Sequence, residues 1–582
     1  MRAAARTARA LLLGLVVVLL ALTGCVSVPT SGPVEKVEGS QPDCQNCVNV
    51  EVAPPAAGDE PRQIVEDFLR ANYNYQPNYS VAKQYLTRSA AEKWSSEEGA
   101  SIYTGAPEAR GDTVVLRGRV VGSLDRDRTF TARDQELTYD FGVVKEDGQW
   151  RISNPPGGLM VAKFAFDQFY QRYNLYFIGN GDSLVPDSIY LPDLRNPANV
   201  ASAMVKALLD GPSRWLAPAV STAVPQDTTL SVDSVTIADG IASVPLSEQV
   251  LQLPDAQRTL LAAQLVYTLK QVPVVKQVQL LVNSQPFRVP GIGSDGLVAV
   301  ESVSRELDPV PFVTAEQPYA VRSGAVAFVT GTETPELQDL PGQSAQRYQV
   351  DSLAVSVANT DLALVTDDRS VLRRRLTTSD EGRVVLRGVG KLLRPQFSRT
   401  GEIWAVGDQG GRQRMWVATA DGTREVTAPV LGKGRVVAFR LSPDGSRLAL
   451  LVRQGRRTVL GLARILRSDE TTVEGWRELD TRSGVAAPTF TELRDVAWLD
   501  ATNLMVLAAA TASSPFAPVT VSDDASRIET DPESNDWDAA ELTVLLRTQT
   551  AIVVTRDGVA YRDDGSQWRE YLTGVSTIAY PG

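Results

Sequence analysis

Three cysteines and no histidine confine the covalent chemistry open to this 582-residue chain. Cys25 stands directly behind Leu22-Thr23-Gly24 at the end of an apolar run, where small side chains suit a peptidase. Without histidine, Ser-His-Asp and Cys-His catalysis lack the base that activates the nucleophile, and His-ligated zinc is excluded. The other two thiols lie in Asp43-Cys44-Gln45-Asn46-Cys47, and two cysteines alone do not close a tetrahedral zinc shell. A redox CxxC would normally open a helix in a thioredoxin-like domain, and that context is missing. A local disulfide between Cys44 and Cys47 is therefore the leading reading outside the cytosol, with free thiols and then redox activity behind it. Among the carboxylates, Asp367-Asp368 and Asp563-Asp564 fall in predicted turns, where Asp is favoured by turn geometry alone. Arg373-Arg374-Arg375 reads as a solvated strand edge rather than a binding patch. Retaining glycoside hydrolysis would need two carboxylates about 5 Å apart, a separation that sequence does not show. The expectation is a chain with no catalytic residue, cofactor or metal.

Arg2, Arg6 and Arg9 precede an apolar stretch over 10–21, and Thr23 and Gly24 supply small residues before Cys25. Together these resemble a bacterial lipobox. The resemblance implies removal of residues 1–24 as a signal peptide, with the Cys25 sulfur carrying diacylglycerol and the acyl chains, palmitate included, as a membrane anchor. The alternative is an uncleaved transmembrane helix, but the apolar run is shorter than the ~20 residues that span a bilayer. The whole chain has 58 Lys and Arg against 69 Asp and Glu, a net charge of −11, and loss of the three leader arginines makes it −14. Such a body repels nucleic acid and gains nothing from anionic headgroups, so attachment must come from lipid.

Behind the anchor, residues 25–60 are rich in Pro, Gly, Ser and acids and read as a tether. As a flexible coil it would reach roughly 30–35 Å on average and on the order of 120 Å when extended. Over 61–160, Pro61 opens a helix with Ile64, Val65, Phe68 and Leu69 on one face, and a second helical stretch runs over 81–94. Strand-like runs follow at 113–121, 129–131, 135–144 and 150–152, with Asp147-Gly148 as a hairpin turn. This α+β order is similar to the nuclear-transport-factor-like cone.

Over 161–310, a strand at 173–178 leads to Asn196 as N-cap and Pro197 at the first helical position, with Val200, Ala203, Met204, Ala207 and Leu208 on one face and Gly211-Pro212 as the stop. Strands at 229–237 and 241–245 joined by Asp239-Gly240, a helix over 256–270 with Leu261, Leu265 and Leu269 inward, and a strand at 278–282 complete the unit. Leu208-Leu209-Asp210-Gly211-Pro212, Ala223-Val224-Pro225, Asp239-Gly240-Ile241-Ala242-Ser243-Val244 and Gln264-Leu265-Val266-Tyr267-Thr268-Leu269 together resemble the GerMN domain of sporulation and germination proteins. All four are caps, turns and core faces, and none supplies a catalytic constellation.

Residues 311–582 repeat. Apolar strands begin at 352, 395, 438 and 496 and pair with second strands at 362–365, 403–406, 448–451 and 504–507. The starts recur every ~42 residues with one longer step, the spacing of a four-stranded propeller blade. Ser442-Pro443-Asp444-Gly445-Ser446-Arg447-Leu448 is similar to the blade motif of TolB-type propellers. The run 575–580 is expected to pair with 325–329 and close a ring of six blades, with seven as the alternative.

Lipobox, tether, α+β domain, GerMN-like domain and propeller together resemble the actinobacterial lipoprotein LpqB family over essentially the whole chain. The resemblance implies a non-enzymatic cell-envelope lipoprotein on the extracytoplasmic face of the cell membrane. It would act with the two-component pair MtrA and MtrB, binding the extracytoplasmic domain of the sensor histidine kinase and so tuning envelope and division control. Residues 160–310 and the propeller are expected to share the partner surface at their junction. The alternative is a cell-wall glycan-binding or glycan-processing module on the propeller face. Trp404, Trp416, Trp498 and Trp568 discriminate between these readings, because glycan binding needs several of them in one groove and interblade packing removes them from it.

Overall fold

The computed structural model describes residues 53–582 apart from 182, 332–333, 341–347, 380–381, 482–489, 512, 531–536, 564 and 566. Helix Pro61–Tyr73 starts on its proline and buries Ile64, Val65, Phe68 and Leu69. Phe68 meets the rings of Trp94 and Phe141 edge-on, at 5.9 and 6.4 Å. The stretch 81–94 is not one helix but two, Ser80–Gln84 and Arg88–Lys93, divided at Thr87. The Thr87 side chain caps the second by accepting from the Ala90 N–H, while its own N–H donates to the Ile152 carbonyl. A four-stranded sheet is ordered Phe130–Asp140, Thr113–Leu124, Ala100–Arg110, Leu159–Ala162, with a separate hairpin of Val143–Glu146 and Gln149–Ile152.

Strand Ala100–Arg110 has no counterpart in the sequence reading, because Gly105 and Pro107 interrupt it and its second half is largely exposed. Its glycine is structural. Gly105 faces Gly118 across the strand pair, and a Cβ on Gly118 would lie 1.8 Å from the Thr104 carbonyl oxygen. Val161, Ala165, Phe166 and Tyr170 belong to this first core, so residues 161–170, assigned to the second domain from sequence, pack with the first.

In the second domain, Tyr170–Ile178 pairs antiparallel with Leu184–Pro192, a strand hidden in the sequence by Pro186. The Asn196 side chain accepts from the Ala198 N–H to cap helix Pro197–Asp210, and Gly211 ends it at φ 101°. The most buried face of that helix carries Ala201, Met204, Val205 and Leu208, while Val200, Ala203 and Ala207 sit at its margin. The expected strand 229–237 shrinks to Thr236–Ala238, preceded by a single bridge from Leu230 to Leu246. Strand Ile241–Leu246 runs parallel to Gln277–Val282, with helix Asp255–Leu269 as the crossover and Leu261, Leu265 and Leu269 fully buried. Buried Gln264 accepts from the Ala223 N–H and donates to the Tyr176 carbonyl, tying helix to strand.

The remainder forms six four-stranded antiparallel sheets among the described residues. The innermost strands are Val350–Val355, Gln396–Phe397, Arg435–Leu441, Glu492–Trp498, Ala539–Leu545 and the C-terminal Thr577–Ala579, each touching the next in a closed ring. Thr577–Ala579 pairs with Tyr319–Arg322, not with 325–329. Strand Ala325–Thr330 already has Tyr319–Arg322 on one side and Glu336–Asp339 on the other, so it has no free edge to offer. Arg373, Arg374 and Arg375 are not a solvated edge either. Their strand, Val371–Leu376, lies between Asp361–Thr366 and Gly382–Leu386. Arg374 pairs with Asp361 at 2.7 Å and Arg375 is 2% exposed.

Candidate functional site: a charged junction and a closed channel

The second domain sits on propeller turns of two similar sequences. In Ser442-Pro443-Asp444-Gly445-Ser446, one Asp444 oxygen accepts from the Ser442 hydroxyl at 2.9 Å and the Ser446 N–H at 2.8 Å. In Ser522-Asp523-Asp524-Ala525-Ser526, Asp524 makes the same pair of bonds at 2.7 and 2.9 Å, with Ala525 at φ 60° where the first turn has Gly445 at 77°. The strand pair Tyr170–Ile178 and Leu184–Pro192, with Ser183 just before the second strand, docks onto both: Ser183 donates to the Asp444 carbonyl at 3.0 Å, the Tyr190 hydroxyl to Asp524 at 2.8 Å, and Arg172 to Asp523. Asp523 also receives Arg447 at 2.7 Å, whose other nitrogen bonds Asp444 and the Ala501 carbonyl, each at 2.7 Å. Nearby, the Trp215 ring lies under Arg477 at 4.3 Å and its indole N–H donates to the Gly475 carbonyl at 2.7 Å.

Burial raises the pKa of the Asp523 carboxyl even though Arg172 and Arg447 pull it down. For Asp524, burial is outweighed by Arg172 and by hydrogen bonds from Ser526, which hold it low. The space left beside these groups is about 20 Å³, room for about one water. At this cluster the junction is filled, with no room for a partner's side chain. Its chemistry is that of a clamp.

Asp187 lies at the edge of the clamp, where burial pushes its pKa up to about 6 against hydrogen bonds from the Ser213 N–H and hydroxyl. An unfolded Asp titrates near ~3.9, so the folded protein binds more protons than the unfolded one between about pH 4 and 6. That stability is fully present below pH ~4 and lost as pH rises through 6, up to about 3 kcal/mol. Urea unfolding of wild type and Asp187→Asn across pH 4–7 should therefore show the wild type losing ground against the variant as pH rises. A pH-independent difference would refute the assignment.

The propeller channel is also closed. Arg394 donates to the carbonyls of Leu353, Leu542 and Ile578 at 3.2, 3.0 and 2.6 Å, joining three innermost strands. Arg440 makes a two-fold contact with Asp495 at 3.0 and 3.1 Å, and burial brings its pKa down to about 10 against the pull of that carboxylate. A cavity of about 60 Å³ remains, lined by Arg394, Arg440, Trp498, Tyr580 and Pro311 among others. That is room for a few waters and well below the ~300 Å³ at which small-ligand sites begin.

Three family models match the chain: "Lipoprotein LpqB, N-terminal domain" over residues 54–167, "Sporulation and spore germination" over 174–287, and "Lipoprotein LpqB beta-propeller domain" over 324–581. Lipoprotein LpqB of Cutibacterium acnes is 30% identical over 580 residues, covering 96% of this chain and 97% of that protein. The chain belongs to the lipoprotein LpqB family. Lipoprotein LpqB of Streptomyces avermitilis is 26% identical over 601 residues, with 96% of each chain covered, and that of Thermobifida fusca 27% over 489 residues, with 74% of this chain and 77% of that protein covered. The LpqB N-terminal model ends at residue 167, close to where the first core ends.

Of the sequence-derived site residues in this LpqB-family chain, Cys25, Cys44 and Cys47 lie outside the described residues, as does Asp564. Asp367 and Asp368 occupy a turn at φ 58° and 54°, with Asp367 paired to Arg373 at 3.3 Å. Asp563 ends strand Val559–Asp563 and accepts from the Gly565 N–H. Trp404, Trp416 and Trp498 are buried in different interblade cores and Trp568 packs against another, so the four do not share a groove. Among the described residues no group of three or more Cys, Asp and Glu could hold a metal ion, and no helix is long and apolar enough to cross a membrane. Arg172, Tyr190 and Asp523 were not singled out from sequence, although the recurrence of Ser-x-Asp-x-Ser at 442 and 522 was a signal that could have found their partners.

Proposed function

We propose that this member of the LpqB family is a lipid-anchored, non-catalytic protein of the extracytoplasmic face that binds the outer domain of an MtrB-like sensor kinase and tunes its output to the MtrA partner. The observation that carries the reading is the filled junction: second domain and propeller are joined by buried ion pairs through Arg172, Arg447, Asp444 and Asp523, and so offer a protein partner surfaces of fixed geometry. Acylation at Cys25 would hold this body within about 30 Å of the bilayer on its tether. A kinase domain in the same membrane then meets it at high effective concentration, and weak contacts suffice.

The test compares kinase autophosphorylation in membranes bearing the wild-type protein, no protein, or a body without its lipid. Output that differs between the first two and reverts when the lipid is lost is the expected result. Equal output in all three removes the regulatory reading.

A further inference from the structure

Where the first domain faces strand Leu184–Pro192 and helix Pro197–Asp210 lies a cavity of about 980 Å³. Small-ligand sites measure about 300–1,000 Å³, so this groove has room that the junction and channel lack. Tyr75 stands on its rim, 40% exposed, with its ring edge-on to Tyr79 at 5.9 Å and 88°. On the floor the Tyr79 hydroxyl hydrogen-bonds that of Tyr170, and the charge of Arg128 acts on both.

Two of these side chains are held there by uncommon backbone. Tyr79 is left-handed at φ 48°, ψ 43°, and Arg128 has φ 62°. Such conformations cost on the order of 1–3 kcal/mol each in non-glycine residues and cluster at ligand sites. The Tyr190 N–H donates to the Arg128 carbonyl at 3.0 Å, clamping the two walls together.

The lining selects among ligand classes. An anion would need cations without opposing charge, but Glu97, Glu98 and Asp125 line the same groove as Arg126 and Arg128. An acyl chain would strip water from guanidinium, carboxylate and phenol groups without replacing their hydrogen bonds, at a cost of several kcal/mol. A sugar has an apolar face for an aromatic ring, and hydroxyls that both donate and accept, matching a wall of mixed donors and acceptors.

We propose that this groove binds a short oligosaccharide, with Tyr75 as the stacking platform and Tyr79, Arg126 and Arg128 as hydrogen-bonding partners. The site is independent of the kinase reading, and no propeller residue lines it.

The full-length protein in detergent is titrated calorimetrically with chitotetraose and with maltotetraose. Saturable binding of at least one is expected. Tyr75→Ala should weaken it about tenfold, the range of one aromatic contact, and Tyr75→Trp should retain it. Because Tyr75 is largely outside the core, both variants should unfold at the wild-type temperature, which separates lost binding from lost fold. Absence of saturable binding by either sugar, an unchanged affinity in Tyr75→Ala, or displacement of the sugar by palmitate would overturn the proposal.

Discussion

Replacing Arg447 with alanine is expected to destabilise the second-domain and propeller body by about 3–5 kcal/mol, the cost of leaving buried charge without its partner. The Arg447 side chain is 2% exposed and is shared between Asp444 and Asp523, whose side chains are 0% and 7% exposed. Its removal leaves Asp444 without its ion-pair partner, held only by the Ser442 hydroxyl and Ser446 N–H, and leaves Asp523 only Arg172 from the ion-pair set. Arg447→Lys should recover part of the loss, because an ammonium keeps the charge but not the fork that reaches both carboxylates. Urea unfolding followed by tryptophan fluorescence reads this directly, since the Trp498 ring lies 5.0 Å from the Arg447 guanidinium. A loss below about 1 kcal/mol would place the cluster among exposed ion pairs instead.

Cys25→Ala is expected to abolish firm membrane attachment. With residues 1–24 removed the net charge would be −14, which supplies no attraction to anionic lipid, so acyl chains on Cys25 would carry the anchoring energy. Cell fractionation with palmitate labelling should find wild type labelled and in the membrane, and the variant unlabelled. Mass measurement separates a released body from one still holding its leader. An unlabelled variant that has lost residues 1–24 and still pellets with the membrane would contradict the assignment.

What the sequence by itself determined is the set of features governed by near neighbours. Asn196 caps its helix because an Asn oxygen reaches an N–H two residues on, and Asp239-Gly240 turns because both residues tolerate positive φ, here 51° and 82°. Leu261, Leu265 and Leu269 face inward because they recur at the helical period, and the blade starts repeat because each blade is the same unit. Strands broken by Gly or Pro, Ala100–Arg110 and Leu184–Pro192, carry no such local signal and exist because neighbouring strands complete their hydrogen bonds. The ring-closing partner of Thr577–Ala579 was likewise decided by which edge remained open once Ala325–Thr330 had filled both of its sides. Tertiary structure alone decided the clamp: Arg172 and Asp523 are 351 residues apart, and a charged side chain enters a core only where folding brings its opposite charge. The groove beside Tyr75 arises in the same way, because its walls come from two domains and its volume is a property of neither sequence segment.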